Sequence, residues 1–316
     1  MGICKTMGIV YRALTAFFVV YAIIGRVQAE NVQNILLISH HIVPYRDVFA
    51  GFQRFLNQQG VKVHYDEYIL QDDLVKPKQV IKKVKDKKAN IIFALGNKAT
   101  ETILRDIQDI PVVTSMILKK DILINAKNAT GVTLAFPLEI EFSLLRQLLP
   151  EARRVGVVYH LEENQEKIDL ARRIAEKMGI VLYTQEVNSP KDLPNALKNI
   201  AKNGDVLWGI SDNMVLNAQT AKQILLFSFR NNIPFCGLSP SWVEAGAFYS
   251  LGWDYTDIGM QAGEIAWKIL QGNEPNSVPI ASPRTVRYFL NLKTAKHMKI
   301  KIPEEIINKA YQVFKE

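Results

Sequence analysis

Short apolar runs that alternate with amphipathic segments restrict the fold of this chain more than any other feature. The predicted strands of the first half are residues 34–38, 61–65, 90–95 and 111–115. Between them, residues 46–59 and the lysine-rich stretch 76–88 carry apolar side chains at helical spacing. Short, mainly apolar runs are typical of strands buried in a sheet, and a strand–helix–strand order is typical of a parallel sheet. The sequence therefore predicts an α/β fold with helices on both faces of the sheet.

The same pattern restarts in the second half of the chain. Residues 139–149 predict a helix, residues 154–159 predict a strand, and strands and helices then alternate as far as 235–238. Two successive units of similar size predict two similar Rossmann-like lobes with parallel sheets, joined by a hinge. We expect the strand-like crossovers near 131–137 and 249–255.

These crossovers divide the chain into discontinuous lobes. Residues 30–136 plus 250–276 are assigned to lobe one, and residues 137–249 plus 277–316 to lobe two. No long linker rich in proline, glycine or serine separates them.

The first 29 residues have the composition of a secretory signal peptide. Lys5 and Arg12 precede an uncharged run at 13–25, and Val27 and Ala29 occupy the positions that a signal peptidase reads. The run is shorter than the roughly 20 apolar residues of a comfortable membrane span. We expect cleavage after Ala29 and a periplasmic mature protein. The alternative is an uncleaved N-terminal anchor, which Arg26 slightly favours.

Charge and cysteine content narrow the possible functions. The chain carries a net charge of +8, and removal of a leader with three cations and no acid leaves +5. The lysines of 76–88 alternate with Val80, Ile81 and Val84, so we interpret them as the solvated face of a helix and expect no nucleic-acid binding. Cys236 is the single cysteine of the mature chain, which excludes an intramolecular disulfide. Its apolar surroundings predict a small buried side chain.

Enzyme motifs are scarce. The sequence contains no GxxxxGK[ST] phosphate loop, no G-x-S-x-G elbow and no paired-histidine metal helix. His40 and His41 are adjacent, and neighbouring side chains of an extended segment point in opposite directions. We therefore predict a protein that is not an enzyme and needs neither a cofactor nor a metal.

Polar and aromatic residues follow the predicted strands at their carboxyl ends. Ligands of open parallel sheets bind at this edge, against helix N-termini. The candidate ligand-binding residues are His41, Tyr45, Asn97, Lys98, Ser115 and Met116 in lobe one, and Asn164, Asp212, Asn213 and Trp242 in lobe two. We expect these loops to face a cleft between the lobes and to bind a small polar organic molecule. The alternative is that residues such as Ser211 and Asp212 are ordinary helix caps.

Several segments of the chain resemble one known family. They are NATGVT at 128–133, LRQLLPEARRVGVVY at 145–159, SDN at 211–213, VEAGA at 243–247, LGWDY at 251–255, the pair Gly259 and Gly263, and the tail 291–305. They are similar to ABC-transporter substrate-binding proteins of the group that includes tryptophan- and tyrosine-binding lipoproteins. The resemblance covers roughly residues 32–315 and implies a type I periplasmic-binding-protein fold.

Two loops depart from the family pattern. Residues 117–120 (ILKK) replace a T-D-P or T-N-P turn, and residues 160–164 (HLEEN) lack the proline of a Y-N-P-x-x-x-N loop. The resemblance places both loops at the ligand. It therefore implies the fold and the binding role more firmly than the particular ligand.

The resemblance implies a receptor that closes on a small molecule by hinge motion and delivers it to an ABC permease. We expect this receptor to be exported and monomeric. By position, Asp212 would pair with a ligand cation such as an ammonium, with Asn164 and Asn213 as hydrogen-bonding partners. Asn97 and Lys98 would hold a carboxylate at a helix start. Tyr45 and Trp242 would stack on the ligand body, while Trp253 would pack at the hinge.

Two other functions remain open from the sequence. One is a periplasmic sensor subunit for a membrane kinase or chemoreceptor. The other is an exported α/β enzyme, which is disfavoured because no nucleophile–base pair can be assembled.

Overall fold

The chain forms two compact units. The computed structural model describes residues 32–38, 43–69, 75–86, 89–118 and 120–315. The first unit contains the residues up to Gly131 together with Gly259–Ile280, and the second contains Val132–Ile258 together with residues 281–316. The predicted leader and His41 lie outside the described residues.

Strands and helices alternate along almost the whole described chain. The first elements are β1 (Val32–Ile38), α1 (Val43–Gln58), β2 (Val63–Ile69), α2 (Val75–Asp86), β3 (Ile91–Leu95), α3 (Asn97–Asp106), β4 (Val112–Ile117), α4 (Asp121–Ile124) and β5 (Ala129–Thr133). They are followed by α5 (Leu138–Leu148), β6 (Arg154–Tyr159), α6 (Leu161–Lys177), β7 (Val181–Glu186), α7 (Leu193–Asn203), β8 (Val206–Trp208), α8 (Ala221–Asn231), β9 (Phe235–Gly237) and α9 (Pro240–Glu244). The last elements are β10 (Tyr249–Trp253), α10 (Tyr255–Leu270), β11 (Val286–Asn291), α11 (Leu292–His297), α12 (Glu304–Lys309) and β12 (Gln312–Phe314).

The first unit is built on a five-stranded sheet. The strand order is β2-β1-β3-β4-β5, and β1 pairs in parallel with both β2 and β3. All five residues of β3 are buried, as expected for a central strand covered on both faces. On one face, the rings of Phe52 and Phe93 stack at a centroid distance of 4.1 Å. The order of the strands places the ends of β3 and β4 side by side.

Helix α10 packs unusually closely against α1. A Cβ atom on Gly259 would lie 1.9 Å from the backbone oxygen of Val48. One turn further along α10, a Cβ on Gly263 would lie 2.9 Å from the Cβ of Phe55. Glycine is therefore required at Gly259 for this backbone approach.

The second unit is built on a seven-stranded sheet of order β12-β11-β10-β9-β8-β6-β7. The pairs β6–β7, β6–β8, β8–β9, β9–β10 and β11–β12 are parallel, whereas β10–β11 is antiparallel. The prediction of two α/β lobes with parallel sheets is confirmed, with this one antiparallel pair as an addition.

Two hydrophobic clusters hold the second unit. One contains Phe142, Leu145 and Ile168 from α5 and α6, and the other contains Leu197 and Ile224 from α7 and α8. Trp208 of β8 belongs to the first cluster and is 1% exposed. The clusters fix both layers of helices on the sheet, so the loops at the strand ends leave from a rigid frame.

The boundaries of the units differ from the expected ones by several residues. The crossover expected at 249–255 is largely strand β10, in which Tyr249 pairs with Cys236 and Ser250 with Gly237 of the second sheet. Residues 250–258 therefore belong to the second unit, although they were expected in lobe one. The chain passes between the units at 131/132, 258/259 and 280/281.

The strand expected at 61–65 begins two residues later and extends further, over Val63–Ile69. Among the described residues, we find no helix that is both long and apolar enough to cross a membrane.

Candidate functional site

In the first unit, a glycine directs the chain from β3 into α3. Gly96 adopts φ 89° and ψ 161°, a conformation open essentially to glycine alone. Its N–H donates to the Ser115 carbonyl at 2.9 Å, and its own carbonyl accepts from the Thr100 N–H at 3.0 Å. Asn97 and Lys98 consequently occupy the first turn of α3, which contains no acidic residue. The positive end of the helix dipole is left available for an anion.

Ser115 lies at the end of β4, beside this turn. Its side chain is fully buried, and its Oγ has no hydrogen-bond partner within the described chain. The neighbouring hydroxyl of Thr114 is satisfied, since it contacts Thr100 Oγ1 at 2.5 Å and donates to the Ala94 carbonyl at 3.0 Å. A buried polar group without a partner costs about 1–3 kcal/mol and calls for an explanation.

Asn97 and Met116 complete the cluster at the β3 and β4 ends. The Asn97 Oδ1 accepts from the Leu118 N–H at 3.3 Å, which ties the start of α3 to the segment after β4. Met116 has φ 62°, an uncommon conformation for a residue with a side chain. Lys98 is exposed. The structure thus brings Asn97, Lys98, Ser115 and Met116 together at the ends of β3 and β4.

In the second unit, the carboxylate of Asp212 is surrounded by donors. Its Oδ2 accepts from the His160 N–H at 2.7 Å and from Asn164 Nδ2 at 2.9 Å. Its Oδ1 accepts from the N–H groups of Met214 at 3.0 Å and Val215 at 2.9 Å. The residue is 2% exposed. Four bonds fill the roughly four acceptor positions of a carboxylate.

The expectation that Asp212 pairs with a ligand cation therefore needs revision. All its acceptor positions are used by groups of the protein, so a ligand ammonium would have to displace one of them. Its contacts match the alternative interpretation of Asp212 as a structural cap. This cap connects two loops, since Asp212 binds groups of the segment after β6 and of the segment after β8. Asn164 shares this role, because its Nδ2 also donates to the Ser211 carbonyl at 3.1 Å.

A carboxylate that the sequence argument missed lies beside Asn213. Glu163, in the first turn of α6, accepts from the Asn213 N–H at 3.0 Å through one oxygen and from Asn213 Nδ2 at 3.0 Å through the other. Each oxygen retains acceptor capacity. Glu163 is partly exposed, in contrast to Asp212. The predicted loop 160–164 contained this residue, but nothing in its spacing distinguished it from an ordinary acid at a helix start.

The two aromatic candidates differ in exposure. Trp242 is partly buried and packs edge-to-face on Phe235 at a centroid distance of 5.6 Å, and a Cβ on Gly237 would lie only 2.6 Å from the Trp242 Cβ. Tyr45, in the first turn of α1, is 8% exposed. Trp253 stacks on Phe136 at 5.1 Å and donates to the Leu134 carbonyl at 2.9 Å. These contacts lie within the second unit, next to a chain crossing.

A second acid, largely shielded from solvent, lies against the sheet of the second unit. Glu141 of α5 accepts from Trp208 Nε1 at 2.7 Å, and Lys167 Nζ lies 4.0 Å from its other oxygen. Burial raises the pKa of Glu141, although the Lys167 charge and the Trp208 hydrogen bond oppose the shift. Both oxygens of Glu141 are engaged by Trp208 and Lys167, so we assign this acid a structural role.

Cys236 has the properties predicted for it. It is free, 5% exposed and part of the hydrophobic cluster that contains Trp208. Burial raises the pKa of its thiol to about 12. A thiol with such a pKa stays protonated and is a poor nucleophile.

The fold and these strand-end loops define a class of two-unit α/β binding proteins, and sequence comparison identifies the family. A family model described as ABC transporter substrate binding protein matches residues 32–314. The chain belongs to this family, which confirms the resemblance noted in the sequence. The family consists of extracytoplasmic solute-binding proteins and is not catalytic, so the chain is not an enzyme.

Individual relatives agree with this placement. A tyrosine-binding protein of Clostridioides difficile (strain R20291) is 22% identical over 259 residues, covering 78% of this chain and 74% of the relative. Among solved structures, the ligand-free, open form of a substrate-binding protein with adhesive properties from Clostridium difficile has a TM-score of 0.75. It is 21% identical, and the match covers 90% of this chain and 100% of that one.

A domain from Streptococcus pneumonia in complex with L-Trp has a TM-score of 0.60 at 22% identity, and the match covers 90% of this chain and 100% of that one. At such identities the structural similarity establishes the fold alone.

Proposed function

We propose that this chain is an exported receptor that binds a free amino acid, or a closely related molecule with an anionic and a cationic end, and delivers it to an ABC importer. The family supports the transport role, and the names of two relatives mention tyrosine and L-Trp. The family match does not favour the alternative of a sensor subunit. We further propose that a signal peptide at 1–29 exports the chain to the periplasm and that loops of both units contact the ligand.

The observation that carries the proposal is the unsatisfied hydroxyl of Ser115 beside the acid-free start of α3. A ligand carboxylate placed there would accept a hydrogen bond from Ser115 Oγ once the groups that cover this buried hydroxyl move aside, and it would interact with the N-terminal end of the helix dipole. Both interactions favour an anion. In this proposal Asn97 and Lys98 line the carboxylate end of the ligand.

Glu163 is the proposed partner of the ligand ammonium. Its carboxylate is positioned by Asn213 on one side and retains acceptor positions on the other. Asp212 and Asn164 become positioning residues, since they hold the loops after β6 and β8 in place. Tyr45, Met116 and Trp242 are proposed to contact the ligand body.

Calorimetric titration with L-tyrosine and L-tryptophan tests the proposal. We expect saturable binding of at least one of them, and about 2.7 kcal/mol of added stability when that ligand is present at 100 times its Kd. Glu163→Gln should weaken binding of L-tyrosine about tenfold or more, because a charged hydrogen bond is lost. It should leave binding of 3-(4-hydroxyphenyl)propanoate, which lacks the ammonium, unchanged.

Two results would contradict the proposal. The assignment of Glu163 fails if Glu163→Gln weakens the two compounds equally. The amino-acid proposal fails if no amino acid stabilises the protein while an unrelated solute does.

A further inference from the structure

Helices α8 and α11 of the second unit expose a basic and aromatic surface that the ligand-binding role does not use. We define this surface, the α8/α11 face, by Leu226, Phe229 and Arg230 of α8 and by Lys293, Lys296 and His297 of α11. Leu226 is 40% exposed and Phe229 is 48% exposed, and the four cationic or titratable side chains are exposed as well.

Direct contacts join the two helices into one surface. The rings of Phe229 and His297 stack at a centroid distance of 3.6 Å with an interplanar angle of 5°. The His297 Nε2 also lies 3.2 Å from the Phe229 carbonyl oxygen. Helix α11 is anchored from below, because Asn291 caps it at the Thr294 N–H and donates to the Val243 carbonyl at 2.7 Å. The cations are therefore presented on a fixed platform.

The charge of this face is one-sided. No Asp or Glu occurs between Asp212 and Glu244, or between residues 281 and 303. Within the described part of the chain, no carboxylate pairs with Arg230, Lys293 or Lys296. Lys293 and Lys296 are three residues apart on one helix, where like charges repel each other slightly. An anionic partner would remove that repulsion.

The face is remote from the candidate ligand loops of the same unit. Phe229 lies in the last turn of α8, just before β9 begins, whereas Asp212 and Trp242 follow the carboxyl ends of β8 and β9. The two sets thus occupy opposite edges of the second sheet. A partner on the α8/α11 face leaves the ligand loops of this unit uncovered.

We propose that the α8/α11 face binds the surface of an anionic phospholipid membrane. The negative surface potential of such a membrane attracts lysine side chains and requires no precise geometry between them and the lipids. Exposed Phe and Leu side chains insert at the boundary between headgroups and acyl chains. A protein interface fits less well, since lysine is depleted at protein interfaces. Membrane binding would hold the receptor close to its importer and is independent of which ligand it carries.

Vesicle binding of the full chain tests this proposal. We expect the chain to cosediment with vesicles of phosphatidylglycerol and phosphatidylethanolamine far more than with phosphatidylcholine vesicles, and less as salt is added. Each lysine removed should lower the partition coefficient about fivefold, so Lys293→Ala with Lys296→Ala should lower it about 25-fold. Phe229→Ala should also lower it, and this loss should persist at high salt.

A matched control uses the other basic helix. Lys82 and Lys85 are exposed on α2 of the first unit, and their double change to alanine removes the same charge. That variant should bind anionic vesicles like the unaltered chain. All variants keep the same N-terminus, so any binding by residues 1–29 is common to them. Hydrogen exchange adds a local readout: anionic vesicles should slow exchange in residues 226–231 and 292–298.

Three outcomes would overturn the proposal. The first is equal loss of binding in the two double-lysine variants, which would indicate general charge attraction. The second is unchanged hydrogen exchange in α8 and α11 while the chain is bound to vesicles. The third is a chain that ignores anionic vesicles but needs Lys293 and Lys296 to bind its purified permease, which would make the face a protein interface. Amino-acid binding should be normal in all these variants, so failure here does not affect the proposed function.

Discussion

Ser115 in the first unit and Asp212 in the second are both buried polar residues at the end of a strand, yet their surroundings are opposite. The Ser115 hydroxyl has no partner in the described chain, whereas the Asp212 carboxylate accepts four hydrogen bonds. The charged residue, which is the more conspicuous one in the sequence, is the one whose bonding capacity is exhausted. The inconspicuous serine is the one with capacity to spare.

This difference separates two roles that a strand-end position can have. A fully bonded group stabilises the loops that it connects, and its removal is a cost to folding. A buried group without a partner lowers the stability of the fold, and it can gain a hydrogen bond when a ligand arrives. Both roles can be measured, because one affects the free energy of unfolding and the other affects ligand affinity.

The largest expected effect is that of Asp212→Ala on stability. The substitution leaves the His160, Met214 and Val215 N–H groups and the Asn164 amide without their acceptor. We expect the free energy of unfolding to fall by about 3 kcal/mol, because each buried donor without a partner is costly. Urea denaturation measures this loss. Asp212→Asn, which keeps one oxygen, should lose less.

The opposite outcome for Asp212→Ala would restore the interpretation made from sequence. If the urea midpoint is unchanged and affinity for L-tyrosine is lost, Asp212 contacts the ligand. The contrast between Asp212 and Ser115 would then be wrong.

Ser115→Ala should have a smaller effect, in which affinity falls and stability does not. Removal of the hydroxyl should leave the protein at least as stable, since no hydrogen bond within the described chain is lost and the cost of burying an unpartnered hydroxyl disappears. Affinity for L-tyrosine should fall about tenfold, as expected for one hydrogen bond to a charged group. Affinity for tyramine, which lacks the carboxylate, should not change. Calorimetry with both compounds distinguishes the two ends of the ligand.

The adjacent Thr114 provides the matched control. Thr114→Val removes a satisfied hydroxyl and should cost about 1 kcal/mol of stability with no change in affinity. Equal behaviour of the two variants would show that the unsatisfied state of Ser115 has no connection to ligand binding.

The sequence was sufficient for the fold because the fold depends on periodicity. Runs such as residues 90–95 and 154–159 contain one polar residue each, at the start, and are otherwise apolar. The structure places β3 at the centre of the first sheet and β6 inside the second, next to the edge strand β7. Strand β10 was harder to place. Its residues were interpreted as a crossover between the units. The strand β11, with which β10 pairs, lies far along the chain and was not identified from the apolar pattern.

The candidate site was predictable as a set of loops but not as a set of roles. The edge rule for parallel sheets brought Asn97, Lys98, Ser115 and Met116 together, and Asn164, Asp212 and Asn213 likewise. Whether all acceptor positions of a carboxylate are filled depends on backbone N–H groups such as those of His160 and Val215. Every residue type except proline supplies such a group. Side-chain identity therefore carried no signal that Asp212 would be fully bonded and Glu163 only partly so.

The smallest expected effect concerns the pH dependence of stability, for which Glu141 and Asp257 of the second unit form a second pair of contrasting acids. Burial raises the pKa of Glu141 above its ordinary value of 4.5. At Asp257, burial acts in the same direction, but the hydrogen bonds from Arg284 and Thr285 and the Arg284 charge outweigh it and lower the pKa below 3.8. Above pH 4.5 the unfolded chain loses the Glu141 proton before the folded protein does, so stability falls as pH rises through this range. For Asp257 the folded protein loses its proton first, so stability is present above pH 3.8 and is lost as pH falls.

The two substitutions should consequently flatten opposite ends of the profile of urea midpoint against pH. Glu141→Gln should reduce the fall above pH 4.5 and leave the acid side unchanged. Asp257→Asn should reduce the loss below pH 3.8 and leave the upper range unchanged. The Glu141 effect is expected to be small, because Lys167 and Trp208 offset part of the burial. An unaltered upper range in Glu141→Gln would mean that these two partners compensate the burial completely, and Glu141 would then join Asp212 as a fully satisfied acid.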